Sequence, residues 1–122
     1  VSNKQQTVLI VEDDTDLNGA YSMILDNAGY NVRAVEDGQK ALSLLESGEC
    51  KPALILLDLR MPVLDGIGFL RKYKGDAKVV VFSNYDAQQE VDEAFSLGAE
   101  RYILKARSTP KELVKLVGAI LN

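Results

Sequence analysis

The chain reads as an α/β domain, a doubly wound five-stranded parallel sheet flanked by five helices. Three observations predict it: short, nearly unbroken apolar runs, stretches of helical period between them, and a glycine after three of those stretches. Four runs, 7–11 (TVLIV), 53–58 (ALILLD), 78–83 (KVVVFS) and 101–105 (RYILK), read as strands, with a less apolar fifth at 30–35 (YNVRAV). Uninterrupted apolar runs suit strands covered on both faces. The clearest helix has Leu17, Ala20, Tyr21, Ile24, Leu25 and Ala28 on one stripe, at i, i+3, i+4, i+7, i+8 and i+11. Residues 39–47, 87–97 and 110–121 repeat the pattern, and a shorter helix fits 65–73. Gly29, Gly48 and Gly98 fall where a left-handed residue would close a helix. Alternating strand and helix requires crossover connections, hence parallel strands with helices on both faces.

At 122 residues, 47% hydrophobic and 26% charged, the chain has the size of one compact domain, 1–122, with a radius of gyration of about 14 Å. Fourteen Lys and Arg against eighteen Asp and Glu leave a net charge of −4, so no direct nucleic-acid binding by this domain is expected. One cysteine excludes an intrachain disulfide, and zero histidines exclude His-ligated zinc, Ser-His-Asp triads and a phosphohistidine on this chain. Cys50 reads as an incidental surface thiol beyond a helix end. No apolar run approaches the ~20 residues of a membrane span, and the polar opening VSNKQQT is not a targeting segment. A reduced cytoplasmic setting with no membrane contact is expected.

In doubly wound sheets ligands bind beyond the carboxyl ends of the strands, where strand order reverses. Those ends carry Glu12, Asp13 and Asp14 after the first strand, Asp58 closing the third, Ser83 the fourth and Lys105 the fifth. Carboxylates gathered at one edge repel one another unless a cation is present, and hard oxygen ligands suit Mg²⁺. The amine and the hydroxyl could hold an anion with several oxygens, such as a phosphoryl group. Each residue alone has an ordinary reading: a solvated acidic turn, a strand-end hydroxyl, a surface lysine. Asp14 is equally an acid favoured by a helix dipole, so it stays outside the metal site. Residues 14–19 (DTDLNG) fit half of a calcium loop, but Leu25 stands where that loop needs Glu.

The motifs LIVEDD (9–14), LLDLRMPVLDG (56–66), VVFSN (80–84) and GAERYILK (98–105) resemble, in order and spacing, the receiver domain of two-component response regulators, over essentially the whole chain. The resemblance implies a flavodoxin-like sheet of order 2-1-3-4-5. It implies that Asp58 attacks a phosphoryl group and becomes an aspartyl phosphate. Asp13 would bind Mg²⁺ directly, Glu12 through water, and Asp58 with the backbone carbonyl of Arg60 would complete the protein's share of the shell. Lys105 would contact the phosphoryl oxygens, Ser83 would donate its hydroxyl to the product, and Tyr102 would be the switch ring that follows Ser83. The readout would fall on the fourth helix, fifth strand and fifth helix, residues 86–121. Met61-Pro62 and Asp65-Gly66 would position the loop after the acceptor.

Implied partners are a sensor histidine kinase or phosphotransfer protein as donor, and a downstream protein or effector domain, with a phosphorylation-dependent dimer among the states the family allows. Such a domain catalyses its own phosphorylation and dephosphorylation and turns over no other substrate. Three competing readings have weaker support. A dehalogenase-type phosphohydrolase needs a second Asp where Arg60 stands, and a flavodoxin-like cofactor carrier needs a neutral phosphate loop where this chain has acids. A phosphorylation-independent pseudo-receiver would lack some of the residues present here. Two departures stand out. Ala106 replaces the usual proline, predicting an altered placement of Lys105, and bulky Arg60 and Tyr85 flank the path of an attacking water, predicting a long-lived acyl phosphate.

Overall fold

The computed structural model describes residues 6–84 and 86–121. In chain order the elements are β1 (Thr7–Val11), α1 (Thr15–Asn27), β2 (Asn31–Val35), α2 (Gly38–Glu46), β3 (Leu54–Leu57), α3 (Gly66–Lys72), β4 (Lys78–Ser83), α4 (Gln88–Ser96), β5 (Ala99–Leu104) and α5 (Pro110–Leu121). The strands form one sheet of order β2-β1-β3-β4-β5, and every pairing is parallel. The fold class and strand order expected from sequence are those observed.

Alternation along the strands divides the core in two. Leu9, Val11, Ile55, Leu57, Val79 and Val81 face α2, α3 and α4, packing with Ala41, Phe69 and Ala94. Val8, Ile10, Leu54, Leu56, Val80 and Phe82 face α1 and α5, packing with Leu25, Leu113 and Val117. β3 is buried at all four positions, whereas edge strand β2 is exposed at three of five, which explains its weaker apolar pattern. Gly29, Gly48 and Gly98 leave their helices at φ of 102°, 79° and 108°, the expected left-handed exits.

Two expectations change. β5 starts at Ala99, two residues before its apolar run, because a register irregularity between Val79 and Val80 admits Glu100 at the exposed edge. Cys50 is buried in the core beside α2 and α3 rather than on the surface, since the chain turns inward there to enter β3; burial pushes its thiol pKa up. Tyr85, expected beside the path of an attacking water, lies outside the described residues.

Helix starts are tied by side chains that pair with otherwise unpartnered amides. Asp14, Asp37 and Asp65 cap α1, α2 and α3, and Thr109 with Glu112 makes a reciprocal cap on α5. Asp14 accepts from the amides of Asp16 and Leu17 at 3.0 and 3.1 Å. Its carboxylate therefore serves the helix, and because α1 begins at Thr15, residues 14–19 do not form a calcium loop.

Candidate functional site

Strand order reverses between β1 and β3, and the site lies at that crevice. Val11 pairs with Leu57, so Glu12 and Asp58 emerge side by side, one residue past each strand. The Asp58 amide extends the ladder to the Val11 carbonyl at 3.0 Å, and the Glu12 amide bonds the Val35 carbonyl at 3.1 Å. Ser83 pairs with Leu104, so Lys105 follows directly beyond the last rung, in a single turn of 3₁₀ helix (Lys105–Arg107). Parallel register thus converts four strand ends into one cluster.

Glu12, Asp58 and Ser83 are buried and Asp13 is exposed. One carboxylate oxygen from each of Glu12, Asp13 and Asp58 lies within 4.8 Å of the others. The Lys105 amine pairs with Glu12 Oε1 and sits 3.3 Å from Asp58 Oδ2, with all three side chains under a tenth exposed. With Ala106 following it, Lys105 keeps its amine among the acids. Glu12 Oε2 also accepts from the Asp14 amide at 3.2 Å. Among the described residues no buried side-chain polar atom lacks a partner.

The electrostatics follow from two buried acids sharing one amine. Burial pushes the Glu12 carboxyl up to about 7; the Lys105 hydrogen bond opposes this, and the Asp58 charge adds to it. For Lys105, burial favours the neutral amine, but the Glu12 hydrogen bond and the Asp58 charge outweigh it, and the net direction is upward. The cluster remains acid-rich. Three carboxylates of this spacing, two of them buried, suit a hard divalent cation, which would offset the burial of the Glu12 charge and its repulsion from Asp58.

Ser83 is fully buried and lies near enough to the phenol of half-buried Tyr102, two rungs back on β5, to oppose the rise that burial gives that phenol's pKa; the Tyr102 ring packs on the α2–α4 side of the core. Arg60 leaves the loop after Asp58, its amide 3.5 Å from Asp58 Oδ1, and its guanidinium pairs with Glu90 on α4. The structure therefore brings Glu12, Asp13, Asp58 and Lys105 together and sets Ser83, Tyr102 and Arg60 around them.

Sequence reasoning misses some contributors. Asn18 donates to the carbonyls of Glu12 and Val35 at 3.0 and 3.1 Å, tying the ends of β1 and β2. The only hint is a polar residue one position from the apolar stripe of α1. Gly66, by contrast, is expected from sequence to position the acceptor loop, and close approach is the reason glycine stands there: a Cβ would meet the Asp58 carbonyl at 2.5 Å and the Leu59 Cα at 2.7 Å. Its amide bonds the Leu59 carbonyl at 3.0 Å, folding the acceptor loop back on itself.

Fold and site together define an α/β domain with a buried acid–lysine cluster at a topological switch point. Residues 8–118 match the family model described as response regulator receiver domain, and the chain belongs to that family. It is 34% identical over 120 residues to the DNA-binding response regulator MtrA of Mycobacterium tuberculosis, covering 97% of this chain and 51% of that protein. The chain thus spans about half the length of the curated relatives it matches. A CheY-like response regulator receiver domain protein from Methanospirillum hungatei superposes with a TM-score of 0.87 at 25% identity, covering 95% of this chain and 93% of that one. A LuxR-family DNA-binding response regulator from Staphylococcus aureus gives 0.84 at 27%, covering 96% and 99%. Among the described residues no helix is long and apolar enough to cross a membrane.

Proposed function

We propose that this chain is the phosphoacceptor switch of a two-component system and that Asp58 is the acceptor. The observation supporting this best is the Lys105 amine lying 3.3 Å from Asp58 while three carboxylates crowd within 4.8 Å. An Asp58 oxygen attacks phosphorus; the new O–P bond forms as the bond to the donor breaks and the donor keeps the electron pair. These 122 residues hold no histidine, so a phosphohistidine donor lies outside them, on a sensor histidine kinase or phosphotransfer protein. Glu12, Asp13, Asp58 and the Arg60 carbonyl would hold Mg²⁺, whose charge offsets that of the phosphoryl oxygens. Lys105 turns from Asp58 to those oxygens, and Ser83 donates its hydroxyl to one of them. Because Ser83 lies beside the Tyr102 phenol on the neighbouring strand, this movement reaches β5 and the face formed by α4, β5 and α5.

The setting is cytoplasmic. The output is a downstream protein or an effector domain of the kind that makes the longer relatives DNA-binding; this acidic domain does not itself hold nucleic acid. Incubation with acetyl phosphate and Mg²⁺ followed by intact mass tests the reading. One added phosphoryl, absent in Asp58→Asn, is expected. No gain on the unaltered chain would instead mean a phosphorylation-independent interaction module.

A further inference from the structure

We propose that the Arg60–Glu90 ion pair is a latch, holding the first turn of α4 to the acceptor loop and releasing it when Asp58 is phosphorylated. The inference rests on the acceptor reading above and assigns that site a route to α4.

Helix starts differ in how firmly they are tied. Aspartates or a threonine cap α1, α2, α3 and α5, but Ala87 at the start of α4 offers no side-chain cap. The first-turn amides of α4 therefore lack the tie its neighbours have. Beside the packing of buried Ala94, two ion pairs one turn apart tie that helix to its neighbours: Glu90 bonds Arg60 of the acceptor loop, and Glu93 bonds Arg71 near the end of α3. Spaced i, i+3, both carboxylates lie on one face of α4.

Only one of these ties is wired to the site. Arg60 stands two residues past Asp58, and its side chain is 54% exposed, with room to swing, while Glu90 is 25% exposed. Phosphorylation replaces a monoanionic carboxylate with a group of greater negative charge and three strong acceptor oxygens, the geometry a guanidinium matches best. The new anion competes for Arg60 within its own loop. Arg71 is far along the chain from the acceptor, so the Glu93 tie persists and the change concentrates in the uncapped turn. Glu90 also bears on the Tyr102 phenol, whose pKa is raised first by burial and next by the Glu90 charge. Loss of its partner is thus felt at the ring beside Ser83.

Amide hydrogen exchange of residues 88–91, with and without acetyl phosphate and Mg²⁺ and with occupancy read by intact mass, tests the latch. A half-exposed ion pair predicts a change of roughly two- to fivefold. The phosphorylated chain should exchange faster by that factor, and unphosphorylated Glu90→Gln should already show the faster rate. Arg60→Met, which leaves the Glu90 charge at the helix start, should match Glu90→Gln. Equal exchange in the two states of the unaltered chain, or resting rates in both variants, overturns the latch while leaving the acceptor intact. Failure to take up phosphoryl at all overturns the acceptor reading, and the trigger with it.

Discussion

Glu12 sets a stability cost that a pH series can read directly. Burial beside Asp58 lifts its carboxyl from 4.5 to about 7, and the side chain is only 4% exposed, so little solvent screening applies. A displacement of about 2.5 pH units, at about 1.36 kcal/mol each, corresponds to about 3 kcal/mol. Between those two values the folded chain keeps a proton on Glu12 that the unfolded chain has lost. Stability therefore falls as pH rises through that window. The contribution is fully present below about pH 4.5 and gone above about pH 7. Urea unfolding from pH 5 to 8 in chelator should show this decline in the unaltered chain. It should be shallower by up to about 3 kcal/mol in Glu12→Gln, which carries no charge to bury. Millimolar Mg²⁺ at pH 8 should restore stability to the unaltered chain far more than to the variant, because the ion binds the ionised carboxylates. Parallel pH curves for the two proteins would refute the reasoning.

Three further outcomes are expected. Lys105→Met should slow phosphorylation by acetyl phosphate about a hundredfold while leaving Asp58 in place; rates by intact mass within a few-fold of the unaltered chain would remove Lys105 from the reaction. Val63, 81% exposed, sits at φ 67° in a three-residue turn closed by the Leu64 amide on the Pro62 carbonyl at 2.7 Å. Val63→Gly relieves about 1–2 kcal/mol of left-handed strain against about 0.4–1 kcal/mol of added unfolded-chain freedom, so Tm should rise by about 2–5 °C, whereas Val63→Ala, which keeps its Cβ, should give no such rise. Cys50, buried and with its thiol pKa raised, should react with a disulfide reagent much more slowly in the folded chain than in urea; equal rates would contradict its burial.

What is legible in the sequence and what is not divide along a physical line. Interior strands announce themselves because both faces are covered, so β1, β3 and β4 appear as unbroken apolar runs whose last residues can be lined up from the pattern alone. Parallel register then does the rest: once Val11 stands opposite Leu57 and Ser83 opposite Leu104, Glu12, Asp58 and Lys105 have nowhere to go but one crevice. Exposure erases that signal, which is why β5, with Glu100 and Arg101 on its outer edge, reads as two residues too short at its start. Cys50 misleads for a related reason. A small thiol between a helix-ending glycine and a proline has loop neighbours, and only the inward turn of the chain reveals its burial. The Arg60–Glu90 pair lies beyond any local pattern, since two charges 30 residues apart meet only after β4 has set α4 beside the acceptor loop. The chemistry of this domain is thus written at strand ends, where periodicity exposes it. The proposed latch is instead a contact between a loop and a helix, where side-chain identity matters and spacing says nothing.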